Sequence, residues 1–291
     1  MSVQANSPSR AGRHAAGATP PTPRRASPAR RAAALLRRQP IATLLPFAVV
    51  IGVWAVVSAL GIFPSSFFVG PATVFDSMVD SVRRGILPAY IQDSLTRLAV
   101  GAAFGLGIGV ALGFLIGLNR YVRKFCWPVL LFFQAIGDIA WLPIVIIWFG
   151  FSLTSVTVVI VYTVTFPLII SIVAGLDAIP TNLLRAAASL GASRWRTLWE
   201  VYVPGALPGV SSGVRTGLGY GWRALIAAEI IIGTSGVGFM MFDARRQGDV
   251  SHVFVGMAVL GVLWYMTDAL VLAPLEKETV ERWGLVERIG R

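Results

Sequence analysis

The sequence predicts an all-α, polytopic membrane protein with about six transmembrane helices. Apolar residues make up 55% of the 291 residues and charged residues only 13%, and the mean hydropathy is +0.71. Hydrocarbon is therefore the favoured environment for most of the chain. The charged residues fall in short clusters, and the apolar runs between them are about 20 residues long, enough to cross a bilayer as helices. The polar alternation of a transmembrane β-barrel is absent.

Residues 1–40 differ from the rest of the chain. They contain eight arginines, no acidic residue and no periodic apolar pattern, so we expect a disordered tail. Most of the formal net charge of +11 belongs to this tail, and no folded basic face follows it. Anionic lipid is therefore the expected contact, and nucleic-acid binding is not expected. The apolar run that begins at Ile41 lacks a small-residue cleavage site, which favours a retained helix over a signal peptide.

Six apolar runs are candidate membrane spans, within a predicted transmembrane domain of residues 41–275. Gly150-Phe151-Ser152 supplies the turn that divides the longest uncharged stretch into two spans. Residues 276–291 are predicted to form a short C-terminal tail. The six candidate spans are residues 41–62, 95–118, 126–149, 153–175, 212–233 and 252–274.

Lysine and arginine are distributed unevenly between the two sides of the predicted membrane. One side has the N-terminal tail, residues 120–124, residues 185–196 and the C-terminal tail, all of them basic. Because cytoplasmic loops hold the excess of positive charge, both termini are predicted to be cytoplasmic. The opposite side has only four basic residues, Arg83, Arg84, Arg245 and Arg246.

Residues 64–93 then lie outside the membrane. Pro71 stands where a helix accepts proline, and Val74, Met78 and Val82 share one stripe of that helix. A helix lying on the outer membrane interface is the plain interpretation, and a docking role is the alternative.

Glycine recurs at every fourth residue of the second candidate span. The repeat makes one nearly bare helix face, which lets another backbone approach closely where lipid removes the hydrophobic driving force. Tight packing inside the subunit and a sliding or gating surface are both consistent with it. The five glycines are Gly101, Gly105, Gly109, Gly113 and Gly117.

A charged segment, "LLRAAASLGASRWRTLWEVYVPGALPG" at residues 183–209, interrupts the apolar runs within the predicted cytoplasmic loop 176–211. Thr181 or Asn182 is predicted to cap a short helix that Gly191 ends. Ser193 is predicted to cap a second helix, which must stop before Pro204. The result is two short helices with a bend.

An apolar stripe of Leu183, Ala187 and Leu190 is predicted to rest on the membrane domain, while Arg194 and Arg196 point away. A knob for a soluble partner protein fits this pattern. An interfacial helix with snorkelling arginines fits it equally well on physical grounds.

The spacing of this segment resembles the EAA loop of the membrane subunits of ABC importers, E-A-A-x3-G-x9-I-x-L-P. Ala186-Ala187, Gly191 and the Val201-Tyr202-Val203-Pro204 run occupy matching positions. The stretches "IAWLPIVIIWFGFS", "SGVRTGLGYGWRALIAAEII" and "GVGFMMFDARRQGDVSHVFVGMAVLG" are similar to the nitrate, sulfonate and taurine branch of the binding-protein-dependent permeases. The resemblance covers about residues 41–284. One departure is clear, because Arg185 stands where the family has glutamate.

The resemblance implies a type I ABC importer permease in the bacterial cytoplasmic (inner) membrane. It implies a homodimer of six-helix subunits, two cytoplasmic ATPase subunits, an external solute-binding protein and a small, anionic solute such as a sulfonate, taurine or nitrate. The loop from Leu183 to Pro204 would couple ATPase closure to the membrane helices. The implied coupling residues are Arg185, Ala186, Ala187, Gly191, Ser193, Arg194 and Pro204.

ATP chemistry is not expected in this chain, because it contains no G-x-x-x-x-G-K-[ST] loop. Hydrolysis is assigned to a partner polypeptide, and no cofactor is predicted. A self-sufficient secondary transporter or a membrane enzyme is the alternative, although inverted repeats and clustered titratable residues are not evident.

Ionisable residues inside the spans cost several kcal/mol each unless they are paired or wetted. Asp138, Arg223 and Glu229 are candidates for the solute path, and Arg223 is the basic candidate that would meet an anion. Interhelical pairing is the alternative, for instance of Arg223 with Asp138 or Asp268, and pairing is favoured for Asp268.

No metal or hydrolytic site is predicted. A single cysteine excludes an internal disulfide, and the two histidines, His14 and His252, do not form a metal-binding cluster. Asp93, Ser94 and His252 lack the spacing of a catalytic set.

Overall fold

The structure is a computed structural model that describes residues 45–64 and 66–276. Both terminal tails predicted from the sequence lie outside these residues, apart from Glu276. The chain divides into a unit that ends at Val53 and a larger unit that begins at Trp54. The first helix, α1 (Leu45–Ala59), crosses that boundary, and the beginning of predicted span 41–62 lies outside the described residues.

Helices make up the larger unit, and no β-strand occurs among the described residues. The α-helices are α2 (Pro71–Arg83), α3 (Ile86–Leu118), α4 (Arg120–Ala135), α5 (Leu142–Phe149), α6 (Leu153–Asp177), α7 (Thr181–Ser189), α8 (Arg194–Thr197), α9 (Val203–Ile232), α10 (Val237–Gln247), α11 (Val250–Thr267) and α12 (Ala273–Glu276). A 3-10 turn occupies Asp138–Trp141, and π-helical turns occupy Leu198–Tyr202 and Asp268–Leu272.

Helix α6 forms the centre of the bundle, between α3 and α9. The glycine face of α3 packs on it: a methyl group placed on Gly109 would lie 2.8 Å from Leu168 Cδ2. On the other side, a methyl group on Gly209 of α9 would lie 2.6 Å from the Ser171 carbonyl oxygen. Small residues thus let three helices approach to backbone contact. The predicted packing of the glycine face inside the subunit is confirmed.

Three described helices are individually long and apolar enough to cross a membrane: α3, α6 and the α11 segment Val250–Leu270. Two further crossings result if each of two bent helix pairs counts as one span. The described part of α1 is a shorter apolar helix.

The predicted span 126–149 is not one straight helix. It breaks after Ala135, and the segments on either side meet at 88°. Ile136 is extended at the break, and the hydroxyl of Tyr162 on α6 donates to the carbonyl oxygens of Phe133 and Ile136. Pro143 then opens the first turn of α5, where its missing N–H costs nothing. Tyr162, on a neighbouring helix, therefore supplies hydrogen bonds to the carbonyl groups that the break leaves free.

The predicted span 212–233 is the C-terminal part of a much longer helix. The helical run is continuous from Arg194 through the π-turn to Ile232, and α10 follows after a bend of 45°. Gly233 and Gly236 at the bend have φ angles of +58° and +102°, which side chains other than glycine rarely accept.

Candidate coupling region and transport path

Helix α7 ends in a Schellman motif, the hydrogen-bond pattern that closes a helix on a left-handed residue. Gly191 has φ of +70°, its N–H donates to the Ala188 carbonyl at 3.0 Å, and the Ala192 N–H donates to the Ala187 carbonyl at 3.0 Å. The bend predicted at Gly191 is confirmed. Neither Thr181 nor Asn182 caps the helix, because Pro180 occupies the capping position.

Ser193 begins the next helix, and its hydroxyl accepts the N–H of Arg196 at 3.3 Å, as predicted. The predicted stop before Pro204 is wrong. The π-turn widens the helix at residues 198–202, so the Val203 N–H donates to the Leu198 carbonyl. Pro204 then stands in the first turn of α9, where a proline needs no hydrogen-bond acceptor. The helix that begins at Arg194 therefore continues directly into α9.

The apolar face of this region does not rest on the membrane domain as predicted. Leu190 is 87% exposed and Leu183 is 50% exposed, whereas Leu184 packs against the core between α6 and α9. Ala187 lies beside them and helps to line an open groove of about 730 Å³ between α7 and the start of α9. Trp195 and Trp199 are also largely exposed. This end of the bundle thus has exposed apolar side chains on its surface.

The basic residues of the region are exposed as well. Arg196 pairs with Glu200 one turn along the helix at 2.9 Å, an exposed ion pair of the kind that contributes little to stability. Arg185 and Arg194 are exposed. At the same end of the bundle the guanidinium of Arg123 donates to both carboxylate oxygens of Asp177.

Glu229, near the C-terminal end of α9, is 1% exposed and fully hydrogen-bonded. Its carboxylate lies 2.8 and 2.9 Å from the Ser94 hydroxyl, 3.0 Å from Arg97 Nη1 and 2.9 Å from the Gly238 N–H. The carboxylate therefore balances a buried guanidinium and occupies the N-terminus of α10, where negative charge is favoured. This arrangement corresponds to the pairing alternative for Glu229.

Arg97, the partner of Glu229, was not among the charged residues predicted to lie on the path or to pair across helices. Arg97 is 5% exposed and also donates to the carbonyl and the hydroxyl of Ser235 in the α9–α10 bend. Gly236 and Gly238 leave the space, since a methyl group on Gly236 would lie 2.1 Å from Glu229 Oε1. A signal was present, because a buried glutamate needs a cation and Arg97 lies within the neighbouring candidate span.

The other charged residues considered for the path do not form the ion pairs suggested from the sequence. Asp268 pairs with Arg215 at 3.0 Å, so its predicted pairing is confirmed with another partner. Asp138 is partly exposed at the start of the 3-10 turn and accepts the Ile139 N–H. Arg223 is exposed, and its guanidinium stacks 4.4 Å above the ring of Tyr220.

Helix α2 is fastened to the start of α11 by a polar cluster. His252 Nε2 lies 2.9 Å from the Ser81 hydroxyl, and His252 Nδ1 lies 2.5 Å from Asp249 Oδ2. Partial burial raises the pKa of Asp249, but hydrogen bonds from Ser251 and His252 outweigh it and hold the pKa below its usual range. Ser81 is only 2% exposed, so this cluster joins two helices and does not present a nucleophile.

Comparison with known proteins decides the family. Residues 105–273, more than half of the chain, match the family model described as "Binding-protein-dependent transport system inner membrane component". The chain belongs to this family. It is 32% identical over 257 residues to the taurine transport system permease protein TauC of Escherichia coli (strain K12), covering 87% of this chain and 93% of that protein.

Two further relatives place the chain among the same permeases. It is 31% identical to the putative aliphatic sulfonates transport permease protein SsuC of Bacillus subtilis (strain 168), covering 78% of this chain and 82% of that protein. It is 30% identical to the bicarbonate transport system permease protein CmpB of Synechococcus elongatus (strain PCC 7942), covering 78% and 86%.

A solved structure has the same fold. The MetNI methionine ABC transporter in an inward-facing conformation aligns with a TM-score of 0.59 and 19% identity, covering 68% of this chain and 98% of that one. The resemblance in fold extends to a type I ABC transporter permease.

Proposed function

We propose that this chain is the transmembrane permease subunit of an ATP-binding-cassette importer. The observation that supports this most strongly is the coupling region, residues 183–204. It presents exposed apolar and basic side chains at one end of the bundle, and its second helix, which begins at Arg194, continues without a break into α9. A soluble ATPase that moves this region moves a membrane helix directly. ATP is hydrolysed by that partner.

The partners follow from the family. Cytoplasmic ATPase subunits bind the coupling region, an external solute-binding protein delivers the solute, and two copies of the permease enclose the path. The protein lies in the bacterial cytoplasmic membrane with both termini inside. The six spans correspond to α1, α3, the α4–α5 pair, α6, the outer part of α9 and α11.

The solute is a small anion. Relatives are named for taurine, aliphatic sulfonate, bicarbonate and nitrate transport, and each of these compounds has a negatively charged acid group. Of the candidate path residues Asp138, Arg223 and Glu229, we assign Arg223 to the path. It is the exposed cation, whereas the charge of Glu229 is already balanced by Arg97.

Replacing Gly191 with valine tests the coupling role. A methyl group on Gly191 meets no atom within 4 Å, so only the left-handed backbone opposes a larger residue there, at a cost of roughly 1–2 kcal/mol. We expect Gly191→Val to insert and to bind its ATPase, yet to lose solute-stimulated hydrolysis and uptake in proteoliposomes. Gly191→Asn is the control, because asparagine accepts this conformation and should transport like the parent.

Normal uptake by Gly191→Val would contradict the coupling role. Uptake by the permease without any ATPase would favour the self-sufficient transporter instead.

Arg185 gives a second test of the ATPase contact. Arg185 is the fifth of the nine residues of α7, where the helix dipole has little effect, and its exposed guanidinium has no ion pair among the described residues. We expect an acidic ATPase residue to face it. Arg185→Glu should weaken assembly in pull-down and ATPase assays, and the reverse change on the ATPase should restore it. Unchanged assembly in both single variants and the double variant would mean that Arg185 is simply solvated.

A further inference from the structure

An open cavity of about 550 Å³ lies between α9 and α11, on the side of α9 that faces away from α6. It contains Arg223, the path residue proposed above. Its lining residues are Thr216, Gly219, Tyr220, Trp222, Arg223, Ile226, Leu260, Gly261 and Trp264.

The charged donor of the cavity lining is Arg223. Its exposed guanidinium stacks on Tyr220 and has no carboxylate partner in the described part of the chain. A cation within a membrane span is costly unless it meets water or an anion. The cavity therefore offers a guanidinium to which an anionic group can bind.

The rest of the cavity lining is mainly apolar, so it can contact a hydrocarbon group, which an inorganic anion lacks. Trp264 and Leu260 belong to it, and a methyl group on Gly219 would lie 3.3 Å from Trp264 Cη2, so glycine leaves the ring in place. Gly261 leaves open space on the α11 side. Each CH₂ group that a ligand buries against such a wall tightens binding about fourfold. Nitrate or bicarbonate gains nothing from it.

We infer that this cavity selects organic anions, an acid group carried on a short hydrocarbon chain, over inorganic anions. The inference rests on the proposed function, because it takes the α9–α11 cavity as part of the solute path. Arg223 meets the acid group, Tyr220 positions the guanidinium by stacking, and Trp264 contacts the hydrocarbon. The relatives named for sulfonates and for nitrate differ in this very property of their solutes.

Direct binding to the permease–ATPase complex in nanodiscs, without the solute-binding protein, isolates this selectivity. The probes are radiolabelled butanesulfonate, with methanesulfonate and nitrate as competitors. Butanesulfonate should bind about 60-fold more tightly than methanesulfonate, from three CH₂ groups at about fourfold each, and nitrate should compete most weakly.

Variants assign the effect to the cavity. Arg223→Gln should weaken all three anions by more than tenfold. Trp264→Leu should reduce the advantage of butanesulfonate over methanesulfonate while keeping nitrate competition unchanged. Trp148→Leu is the matched control, because Trp148 is an exposed tryptophan on α5 that lies outside the cavity lining.

Equal affinity for nitrate and butanesulfonate, no butanesulfonate binding, or an unchanged chain-length dependence in Trp264→Leu would overturn the inference. ATP-dependent uptake, measured separately with its binding protein, can succeed in each of these cases. Failure of the selectivity is therefore distinguishable from failure of the proposed function.

Discussion

Replacing Arg97 with alanine is expected to destabilise the permease by about 3–5 kcal/mol. The change leaves the Glu229 carboxylate, which is 1% exposed, without its cation, and it removes two hydrogen bonds to Ser235 in the α9–α10 bend. A buried charge that loses its partner costs far more than the intact pair contributes. Thermal melting of the detergent-purified protein, together with its yield in membranes, measures the effect.

Two further variants separate the charge from the shape of the side chain. Glu229→Gln combined with Arg97→Ala should recover part of the loss, because the second change removes the unbalanced charge. Arg84→Ala is the control, since its ion pair with Asp80 is exposed and should contribute little. A melting point for Arg97→Ala equal to that of the control would show that the buried pair is not needed for folding.

Gly105→Val is expected to prevent the normal packing of α3 on α6. A methyl group at this position would lie 2.9 Å from Val164 Cβ and 3.1 Å from the Val161 carbonyl oxygen, and backbone cannot move aside cheaply. Overpacking costs about 1–3 kcal/mol even where side chains adjust. The measurement is the folded fraction after size-exclusion chromatography of the purified permease, with the melting point of what remains.

Gly107→Val supplies an unusually close comparison. Gly107 lies two residues away on the same helix, and a methyl group there meets no atom within 4 Å. Valine imposes the same change in helix propensity at both positions, so the difference between the variants measures packing alone. If both variants fold equally well, the glycine face is not a packing surface.

Local sequence patterns predicted the structural features that depend only on residues close together in the chain. The four-residue glycine period needs only one helix to define its face, and the Schellman bend at Gly191 needs only residues 187–192. The corresponding elements of the candidate site were recognisable for that reason. The exposure of Leu190, however, depends on which face of α7 packs on the core. Helical periodicity identifies an apolar stripe but does not show whether that stripe packs inside the subunit or is left exposed for a partner protein.

Long-range contacts decided the rest. The break after Ala135 is stabilised by the hydroxyl of Tyr162, and the partner of Glu229 comes from position 97. The predicted helix end before Pro204 was wrong because a proline ends a regular α-helix but can follow a π-turn without penalty. The rule that proline ends a helix assumes the same backbone hydrogen-bond pattern along the whole helix.

The unbroken helix from Arg194 to Ile232 has a mechanical consequence. At about 1.5 Å per residue it is roughly 58 Å long, about twice the thickness of the hydrocarbon layer. A rod of that length, tilted by about 10° around its midpoint, moves each end by about 5 Å in opposite directions. The two ends of this helix are thus mechanically connected, and Gly233 and Gly236 form its bend to α10. Under the proposed function, a displacement of the N-terminal end by the ATPase moves the C-terminal end of α9 through one continuous helix.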